Sequence, residues 1–189
     1  MRAHLNPLLA AVVCGLATLL IVCSMSVPAN AVEIWNGPTT TFIEPPGANW
    51  TQPANQDRLT PNVWITRNLV QGLFNAKTES AYTHNSSPAG TEWAYGNLSD
   101  YASLPYTAWE IMFGGRFGGG PSSTVGKNAV CHLLADDIYF SVKFTSWGGS
   151  SGGFSYVRST PSVPEPSVGV MMFSALGVLW GFRRGRVRS

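Results

Sequence analysis

An alternating pattern in the segment DIYFSVKFTSW is the feature that most constrains the fold of this chain. Apolar residues occupy every second position from Ile138 to Phe144, and more polar residues stand between them. A half-buried β-strand buries alternate positions, whereas a helix buries positions three or four apart. The pattern therefore predicts a strand. The GGSSGG loop and the FSYVRS segment that follow predict an antiparallel partner for it.

The rest of the middle of the chain carries the same signal in shorter pieces. Candidate strands are VEIW, TTTFI, NVWITR, TEWAY, TAWEIMF and NAVCHLL, whereas NLVQGLFNA also fits a short helical turn. The chain has 20 glycines and 13 prolines, and only 12% of its residues are charged, which favours short strands joined by turns. We therefore expect residues 32–160 to form one all-β domain, mostly antiparallel and sandwich-like.

The first 31 residues have the three parts of a secretory signal peptide. A weakly basic start containing Arg2 precedes an apolar run over residues 8–22, and the small residues Ala29 and Ala31 fit the site that signal peptidase cleaves. The apolar run is short for a spanning helix, which favours removal of this segment over its retention as a membrane anchor. We expect export through the Sec system and cleavage after Ala31.

Removal of the signal peptide changes the cysteine count. Cys14 and Cys23 would leave with it, so the exported domain would keep Cys131 alone and would have no internal disulfide. Cys131 stands in the apolar stretch NAVCHLLAD, which is typical of a buried small hydrophobic residue rather than a nucleophile. The domain is therefore expected to depend on its hydrophobic core.

The other end of the chain has the features of a membrane anchor. Residues 167–182 carry no charge, and a basic tail follows over residues 183–189. The arginines of this tail are Arg183, Arg184, Arg186 and Arg188. A helix over the uncharged segment would be roughly 24 Å long against about 30 Å for the hydrocarbon core, a gap that flanking arginines can bridge. Because arginines favour the cytoplasmic side, we expect a transmembrane helix in the inner membrane with the preceding domain outside.

A proline-rich linker, residues 161–166, joins this predicted anchor to the domain and contains the motif Val163-Pro164-Glu165-Pro166. Followed by an apolar span and the basic ending RRGRVRS, the motif closely resembles the PEP-CTERM sorting signal of exported proteins in Gram-negative bacteria. The resemblance covers about the last 27 residues. It implies cleavage near the Pro-Glu-Pro motif by a membrane protease of the exosortase type. It also implies an origin in bacteria that produce exopolysaccharide and form biofilms or flocs.

A second resemblance lies within the domain. The segments PANQDRLTPNVWITR and LADDIYFSVKFTSWGGSSGGFSYVRSTP are similar to a module found in secreted bacterial proteins that carry various sorting tails. This resemblance supports the all-β prediction. It implies no particular activity.

The charge distribution excludes nucleic acid as a partner. The whole chain has a net charge of +2, but five of its twelve basic residues lie within the first 31 or the last seven residues. Residues 32–166 hold the other seven together with all ten acidic residues, which gives this part a net charge of −3. A mildly acidic domain without a basic patch does not attract a phosphate backbone.

Few residues suggest catalysis, and we assign no catalytic residue, no metal and no cofactor. The stretch GPSSTVGKN departs from the phosphate-loop spacing, and no GxSxG motif is present. Glu92 and Glu110 would serve as a glycosidase pair only if the fold brought their carboxyl groups to a catalytic separation. Asp136 and Asp137 are weak candidates for calcium, because this cation takes six to eight oxygen ligands.

The tryptophans suggest one class of ligand. Trp50 stands in a turn-rich segment and Trp147 borders the glycine loop, positions where an exposed ring can stack on a sugar. The alternative is that both tryptophans fill the core. Burial in the core is the commoner role of tryptophan, and contact of Trp50 and Trp147 with carbohydrate is a hypothesis suggested by the association of the sorting tail with polysaccharide.

Together these features predict an exported surface or extracellular-matrix protein with a structural, adhesive or polysaccharide-associated role. The expected partners are signal peptidase, the Sec system, an exosortase-type protease, the inner membrane and exopolysaccharide. The alternative is a secreted hydrolase that acts on polysaccharide. A pair of buried acids in a cleft would favour the hydrolase, whereas an aromatic face without such a pair would favour binding.

Overall fold

A computed structural model describes residues 31–163 of the chain, which include Ala31 and Val163. The predicted features outside this range are the cleavage residue Ala29, the motif residues Pro164, Glu165 and Pro166, the helix over residues 167–182 and the basic tail, residues 183–189. Among the described residues, no helix has the length and hydrophobicity needed to cross a membrane. The predictions that concern the two ends of the chain stay predictions.

Short β-strands make up most of the regular structure, as the sequence predicts. Within residues 31–163 the strands are β1 (Glu33–Trp35), β2 (Thr39–Glu44), β3 (Asp57–Arg58), β4 (Trp64–Arg67), β5 (Leu73–Asn75), β6 (Thr91–Tyr95), β7 (Asn128–Leu133), β8 (Ile138–Trp147) and β9 (Phe154–Ser159). One short α-helix, α1, spans Trp109–Met112. The 3-10 segments are Pro53–Asn55, Leu98–Ser103, Gly115–Phe117 and Pro121–Thr124. The described residues are therefore all-β in class.

The strands form two sheets. The main sheet has the order β2-β9-β8-β7-β6, and each neighbouring pair in it is antiparallel. β1 joins this sheet in parallel with the first part of β8, where Ile34 is paired with Tyr139. The second sheet has the order β3-β4-β5 and is antiparallel. Along the edge of β8 that does not face β7, β1 covers the beginning of the strand and β9 covers its end.

The hairpin predicted from the alternating pattern is confirmed. β8 and β9 pair antiparallel, and Trp147 at the end of β8 lies opposite Phe154 at the start of β9. The alternating apolar positions from Ile138 to Phe144 are at most 6% exposed, while Lys143 between them is exposed. A register shift after Phe144 marks a β-bulge, which bends the strand shortly before the glycine loop.

One predicted strand is wrong, because TAWEIMF contains helix α1. Trp109 and Glu110 are buried while Ile111 is 46% exposed, whereas a strand would bury Ile111 together with Trp109. Trp109 and Phe113, four positions apart, pack edge to face with ring centroids 4.9 Å apart. The aromatic content favoured a strand, but packing against the core selected the helix.

The alternative of a helical turn in NLVQGLFNA is also wrong. Leu73–Asn75 forms β5, and all three of its residues are buried. Gln71 just before the strand has a φ of 74°. Since a left-handed residue interrupts a right-handed helix, the chain bends here and enters the strand directly.

One hydrophobic core joins the two sheets. Its fully buried members include Ile65 and Leu73 from the second sheet and Trp93, Phe140 and Tyr156 from the main sheet. Burial of each such side chain stabilises the fold by roughly 1.5–3 kcal/mol. Cys131 lies in this core, where burial raises the pKa of its thiol well above the ordinary value. The prediction of a buried, structural cysteine is confirmed.

A buried ion pair ties the same two sheets together. Arg158 on β9 donates from Nε to Asp57 Oδ2 at 2.7 Å and from Nη2 to Asp57 Oδ1 at 2.9 Å. The Tyr156 hydroxyl donates to the same carboxylate at 2.6 Å. Asp57 belongs to β3, so one carboxylate with three hydrogen bonds links the second sheet to the main sheet.

Candidate functional site

The strongest candidate for a ligand site is a cleft where β8 ends and the glycine loop, residues 148–153, begins. We call it the loop-end cleft, and its volume is about 420 Å³. Three separate segments line it, represented by Arg67 and Gln71, by Pro121 and Ser122, and by Trp147 and Ser150. Because these segments are distant in sequence, the cleft exists only in the folded domain.

Arg67 organises the glycine loop from one side of the cleft. The residue is only 2% exposed. Its Nη1 donates to the carbonyls of Gly148 and Gly153, both at 2.8 Å, and its Nη2 donates to the Gly149 carbonyl at 3.1 Å. Its Nε donates to the Gln71 carbonyl at 2.9 Å. One rigid guanidinium therefore holds both ends of the loop and the bend before β5.

The close packing of the loop, on itself and on Pro46, requires glycine at two positions. A Cβ atom added to Gly148 would lie 1.9 Å from the Gly152 carbonyl oxygen. Gly153 has a φ of +80°, and a Cβ there would lie 2.8 Å from the backbone nitrogen of Pro46. Side chains other than hydrogen would force the loop apart and break its contacts with Arg67.

Trp147 lies beneath Arg67 at the edge of the core. The guanidinium carbon of Arg67 is 4.2 Å from the centroid of the indole, a cation–π contact. The ring also packs against Trp109, with centroids 5.3 Å apart. One face of the half-buried ring is thus occupied by Arg67, and a sugar would meet the ring only at its uncovered part. The carbohydrate contact of Trp147 stays a prediction.

A buried carboxylate stands behind Arg67. Glu44 is 3% exposed and accepts hydrogen bonds from the Thr66 hydroxyl at 3.0 Å and from the Arg67 backbone N–H at 3.1 Å. Burial raises the pKa of Glu44 to about 7, against the opposing effect of these hydrogen bonds and of the Arg67 charge. Burial likewise lowers the pKa of Arg67. Glu44 is not among the residues that line the cleft, so its effect on a ligand would pass through Arg67.

A smaller inner pocket of about 170 Å³ adjoins the loop-end cleft and shares Gln71 and Pro121 with it. Glu110 of α1, 3% exposed, lines this pocket and accepts hydrogen bonds from the Tyr82 hydroxyl and the Asn85 backbone N–H. Its other oxygen lies 3.5 Å from His84 Nδ1. Burial acts to raise the pKa of Glu110, but the hydrogen bonds and His84 outweigh it and lower the pKa. The pocket therefore presents an ionised carboxylate that still has room to accept a hydrogen bond.

The two glutamates considered as a glycosidase pair have different surroundings. Glu110 belongs to the inner pocket, whereas Glu92 on β6 lies 2.8 Å from His132 Nδ1. His132 in turn lies 3.1 Å from Asp137 and stacks on Tyr139 with ring centroids 3.9 Å apart. Glu92 is not among the residues that line either cavity.

The remaining predicted site residues make local contacts. Trp50 is half-buried and packs edge-on against Phe74 with centroids 5.2 Å apart, outside the lining of the loop-end cleft. Asp136 accepts hydrogen bonds from the Thr60 hydroxyl at 2.7 Å and from Asn62 Nδ2 at 2.8 Å, while Asp137 faces His132. Within residues 31–163, no group of three or more His, Cys, Asp or Glu side chains has the geometry to hold a metal ion.

Sequence reasoning missed Arg67 and Gln71, which define the cleft. The glycine loop suggested only a flexible turn, and its partner Arg67 lies 81 to 86 residues earlier in the chain. Nothing local to NVWITR indicates a guanidinium that binds carbonyls so far along the sequence. The one signal in the sequence is the pair of Gly-Gly steps in the loop. If such a loop packs closely, its backbone carbonyls need hydrogen-bond donors, and a buried side chain can supply them.

Comparisons with known proteins do not extend this description. No protein-family model matches the chain, and no curated protein or solved structure matches it either.

Proposed function

We propose that this chain is an exported protein of the bacterial cell surface or extracellular matrix that associates with polysaccharide through the loop-end cleft. The motif Val163-Pro164-Glu165-Pro166 and the arginines of residues 183–189 support sorting by a PEP-CTERM tail. An exosortase-type protease would act on this tail after Sec export. We also propose that the two sheets form a β-sandwich over their shared core.

The observation that carries the binding role is the make-up of the loop-end cleft. Its lining combines Trp147 with Gln71, Ser122 and Ser150, residues whose side chains carry an amide or a hydroxyl group. Ligand sites typically pair apolar surface with a few fixed hydrogen-bonding groups. Arg67 fixes the geometry of the cleft, because three of its hydrogen bonds hold the loop that forms one wall and a fourth holds the Gln71 carbonyl.

The position of the cleft suits a domain tethered by its C-terminal end. β9 begins at Phe154 beside the cleft and ends at Ser159, about 17 Å further along the strand. There the Gly37 N–H donates to the Thr160 carbonyl at 2.8 Å. The chain also enters at this end, since Glu33 is paired with Ile138 at the start of β8. A tether attached beyond residue 163 would leave the cleft facing away from the membrane.

The alternative, a secreted hydrolase acting on polysaccharide, has less support. Most glycosidases use two carboxyl groups that flank the bond to be cleaved. Within residues 31–163, Glu110 is the one carboxylate among the residues that line the loop-end cleft and its inner pocket. Binding rather than hydrolysis is therefore the function we propose.

Mass spectrometry of the protein from its native host tests the export and sorting. We expect an N-terminus at Val32 and a C-terminus near Glu165, in protein recovered from the cell surface or the medium. Intact chains recovered from the cytosol would overturn this part of the proposal.

Removal of one cleft side chain tests the binding. Gln71→Gly deletes the amide while keeping the backbone, since glycine adopts a φ of 74° without strain. We expect roughly fivefold weaker binding of the full chain to the host's exopolysaccharide in affinity gel electrophoresis, the effect of one lost hydrogen bond. The matched control is Asn85→Gly, which also places glycine at a residue with positive φ, here 59°. Asn85 lines neither the loop-end cleft nor the inner pocket.

Three results would contradict the binding proposal. The first is migration of the wild-type chain without retardation, and the second is an equal loss of affinity in both variants. The third is release of reducing ends from the polysaccharide by the wild type. The last of these would favour the hydrolase.

A further inference from the structure

A second cavity lies on the main sheet, on the face opposite the core. It has a volume of about 380 Å³ and crosses several strands. Its lining includes Thr39 of β2, Val157 of β9, Lys143 of β8 and Asn128 of β7, and it ends at Asn97 beyond β6. We call it the sheet groove. A groove that runs across the strands can hold an extended chain, which a closed pocket cannot.

The polar groups of the sheet groove come from side chains that have unused hydrogen-bonding capacity. Asn128 Nδ2 donates to Asn97 Oδ1 at 3.0 Å, and both residues are exposed. This pairing leaves Asn97 Nδ2 as a donor and Asn128 Oδ1 as an acceptor. Such paired amides suit sugar hydroxyls, which donate and accept at once.

Lys143 gives the sheet groove its charge. It is exposed and lies directly opposite Asn128 in the register of β7 and β8, so the two side chains leave the sheet side by side. Within residues 31–163, no carboxylate forms an ion pair with Lys143, and it is the one charged residue among those that line the groove. An ammonium without a protein counter-ion favours a ligand that carries an anion.

The groove continues past Leu98 into a neighbouring cavity of about 350 Å³. Tyr101 lines this second cavity together with Asn36 and Ser99. The Tyr101 ring packs against Tyr139 with centroids 4.9 Å apart, which fixes its position. The two adjoining cavities thus offer one cationic position, paired amides and an aromatic ring held by its neighbour.

We propose that the sheet groove binds an extended glycan that carries carboxylate groups, that is, a polysaccharide containing uronic acid. Lys143 pairs with one sugar carboxylate, and Asn97 and Asn128 bind neighbouring hydroxyls. This inference rests on the proposed association with polysaccharide and adds a second site to the loop-end cleft. Two sites on one domain would allow it to cross-link two chains, or to hold one chain more tightly, because a second contact to a chain that is already bound forms at high effective concentration.

Replacement of Lys143 by an uncharged residue tests the proposal. The probe is polygalacturonate, and the measurement is retardation of the full chain in affinity gel electrophoresis. We expect Lys143→Gln to weaken binding roughly tenfold, the range of a hydrogen bond to a charged group. Wild-type binding should also fall as sodium chloride rises from about 0.05 M to about 0.5 M. The matched control is Lys77→Gln, which removes the same charge from an exposed lysine that contacts Trp64 instead.

Each outcome decides the matter. Loss of binding in Lys143→Gln with retention in Lys77→Gln supports the groove. Equal losses in both variants would mean nonspecific charge attraction, and no loss in either, or no wild-type binding to polygalacturonate, would overturn the inference. The Gln71→Gly variant separates the two sites: it should bind polygalacturonate like the wild type if the groove is independent of the loop-end cleft.

Discussion

Two arginines of this domain, Arg67, which is buried, and Arg158, which is partly buried, bind different kinds of acceptor. Arg158 pairs through two hydrogen bonds with the carboxylate of Asp57, whereas Arg67 donates to four backbone carbonyls. Both guanidinium groups also lie over a tryptophan ring, Arg67 over Trp147 at 4.2 Å and Arg158 over Trp35 at 5.8 Å. The nature of the acceptor is therefore the main difference between them.

The difference shows in the two pKa values. Burial acts to lower the pKa of Arg158, but the hydrogen bonds and charge of Asp57 outweigh it and raise the pKa. Burial lowers the pKa of Arg67, and Glu44 only partly compensates. A carboxylate partner makes Arg158 a connection between the two sheets. Carbonyl partners make Arg67 the support of a loop, and that loop forms a wall of the cleft.

Removal of Arg158 should have the largest effect. Arg158→Met leaves Asp57 buried without its cation, and we expect the free energy of unfolding to fall by about 3–5 kcal/mol. Urea denaturation of the full chain measures this change. The control is Arg58→Met, which removes an exposed arginine that contacts Gln56 and Trp64 and should cost less than about 1 kcal/mol. Equal effects of the two substitutions would contradict the role of the buried pair.

Removal of Arg67 should destabilise the domain less but should disorder the loop. In Arg67→Met, the carbonyls of Gly148 and Gly149 lose the Arg67 donor and the Gly153 carbonyl keeps only the Gly148 N–H, but water can reach a loop that is partly exposed. We expect a loss of about 2–3 kcal/mol. Hydrogen exchange should rise in residues 148–153 and stay unchanged in β7. Unchanged exchange in the loop would show that Arg67 does not order it.

The carboxylate behind Arg67 should make stability depend on pH. The pKa of Glu44 is about 7 in the folded chain and near 4.5 when unfolded, so its stabilising contribution is complete below about pH 4.5 and is lost as pH rises through 7. Between pH 5 and pH 8 we expect the free energy of unfolding to fall by up to about 2.5 kcal/mol from this group. Denaturation of wild type and of Glu44→Gln across this range isolates the effect, because contributions from histidines cancel. Parallel profiles would refute it.

Glycine substitutions should separate the tight part of the loop from its open part. Gly148→Ala places a methyl group against the Gly152 carbonyl, and we expect a loss of about 1–2 kcal/mol. Gly149→Ala meets nothing within 4 Å and should change stability by less than about 0.5 kcal/mol. Thermal denaturation of both variants checks the contrast. A larger effect at Gly149 would mean that the loop adopts another conformation.

Much of the fold could be predicted because its signals are local. The alternation from Ile138 to Phe144 depends only on which face of a strand meets the core, so β8, its partner β9 and the glycine loop between them follow directly. The segment TAWEIMF was predicted as a strand because aromatic residues favour strands. Its helix depends on Trp109 and Phe113 packing against residues far away in sequence.

The candidate site was less predictable. Trp147 is a candidate ligand-contact residue in the sequence because it borders the glycine loop, and in the structure it lines the loop-end cleft. Arg67 could not be identified, because its hydrogen bonds to the loop join segments more than 75 residues apart. Gln71 could not be identified either, because only the fold brings it beside Pro121 and Trp147 in the lining of the cleft. Trp50 looked equivalent to Trp147 in sequence, yet it packs on Phe74 away from this cleft.

The sequence by itself determined the class of the fold, the alternation of β8 and the burial of Cys131, since each depends on residue type and spacing along one segment. The tertiary structure alone decided which buried charge meets a carboxylate and which meets carbonyls, and therefore where a rigid cleft forms. The physical reason is that a buried ion must find partners wherever the folded chain supplies them, and pairing across sheets leaves no local trace in the sequence.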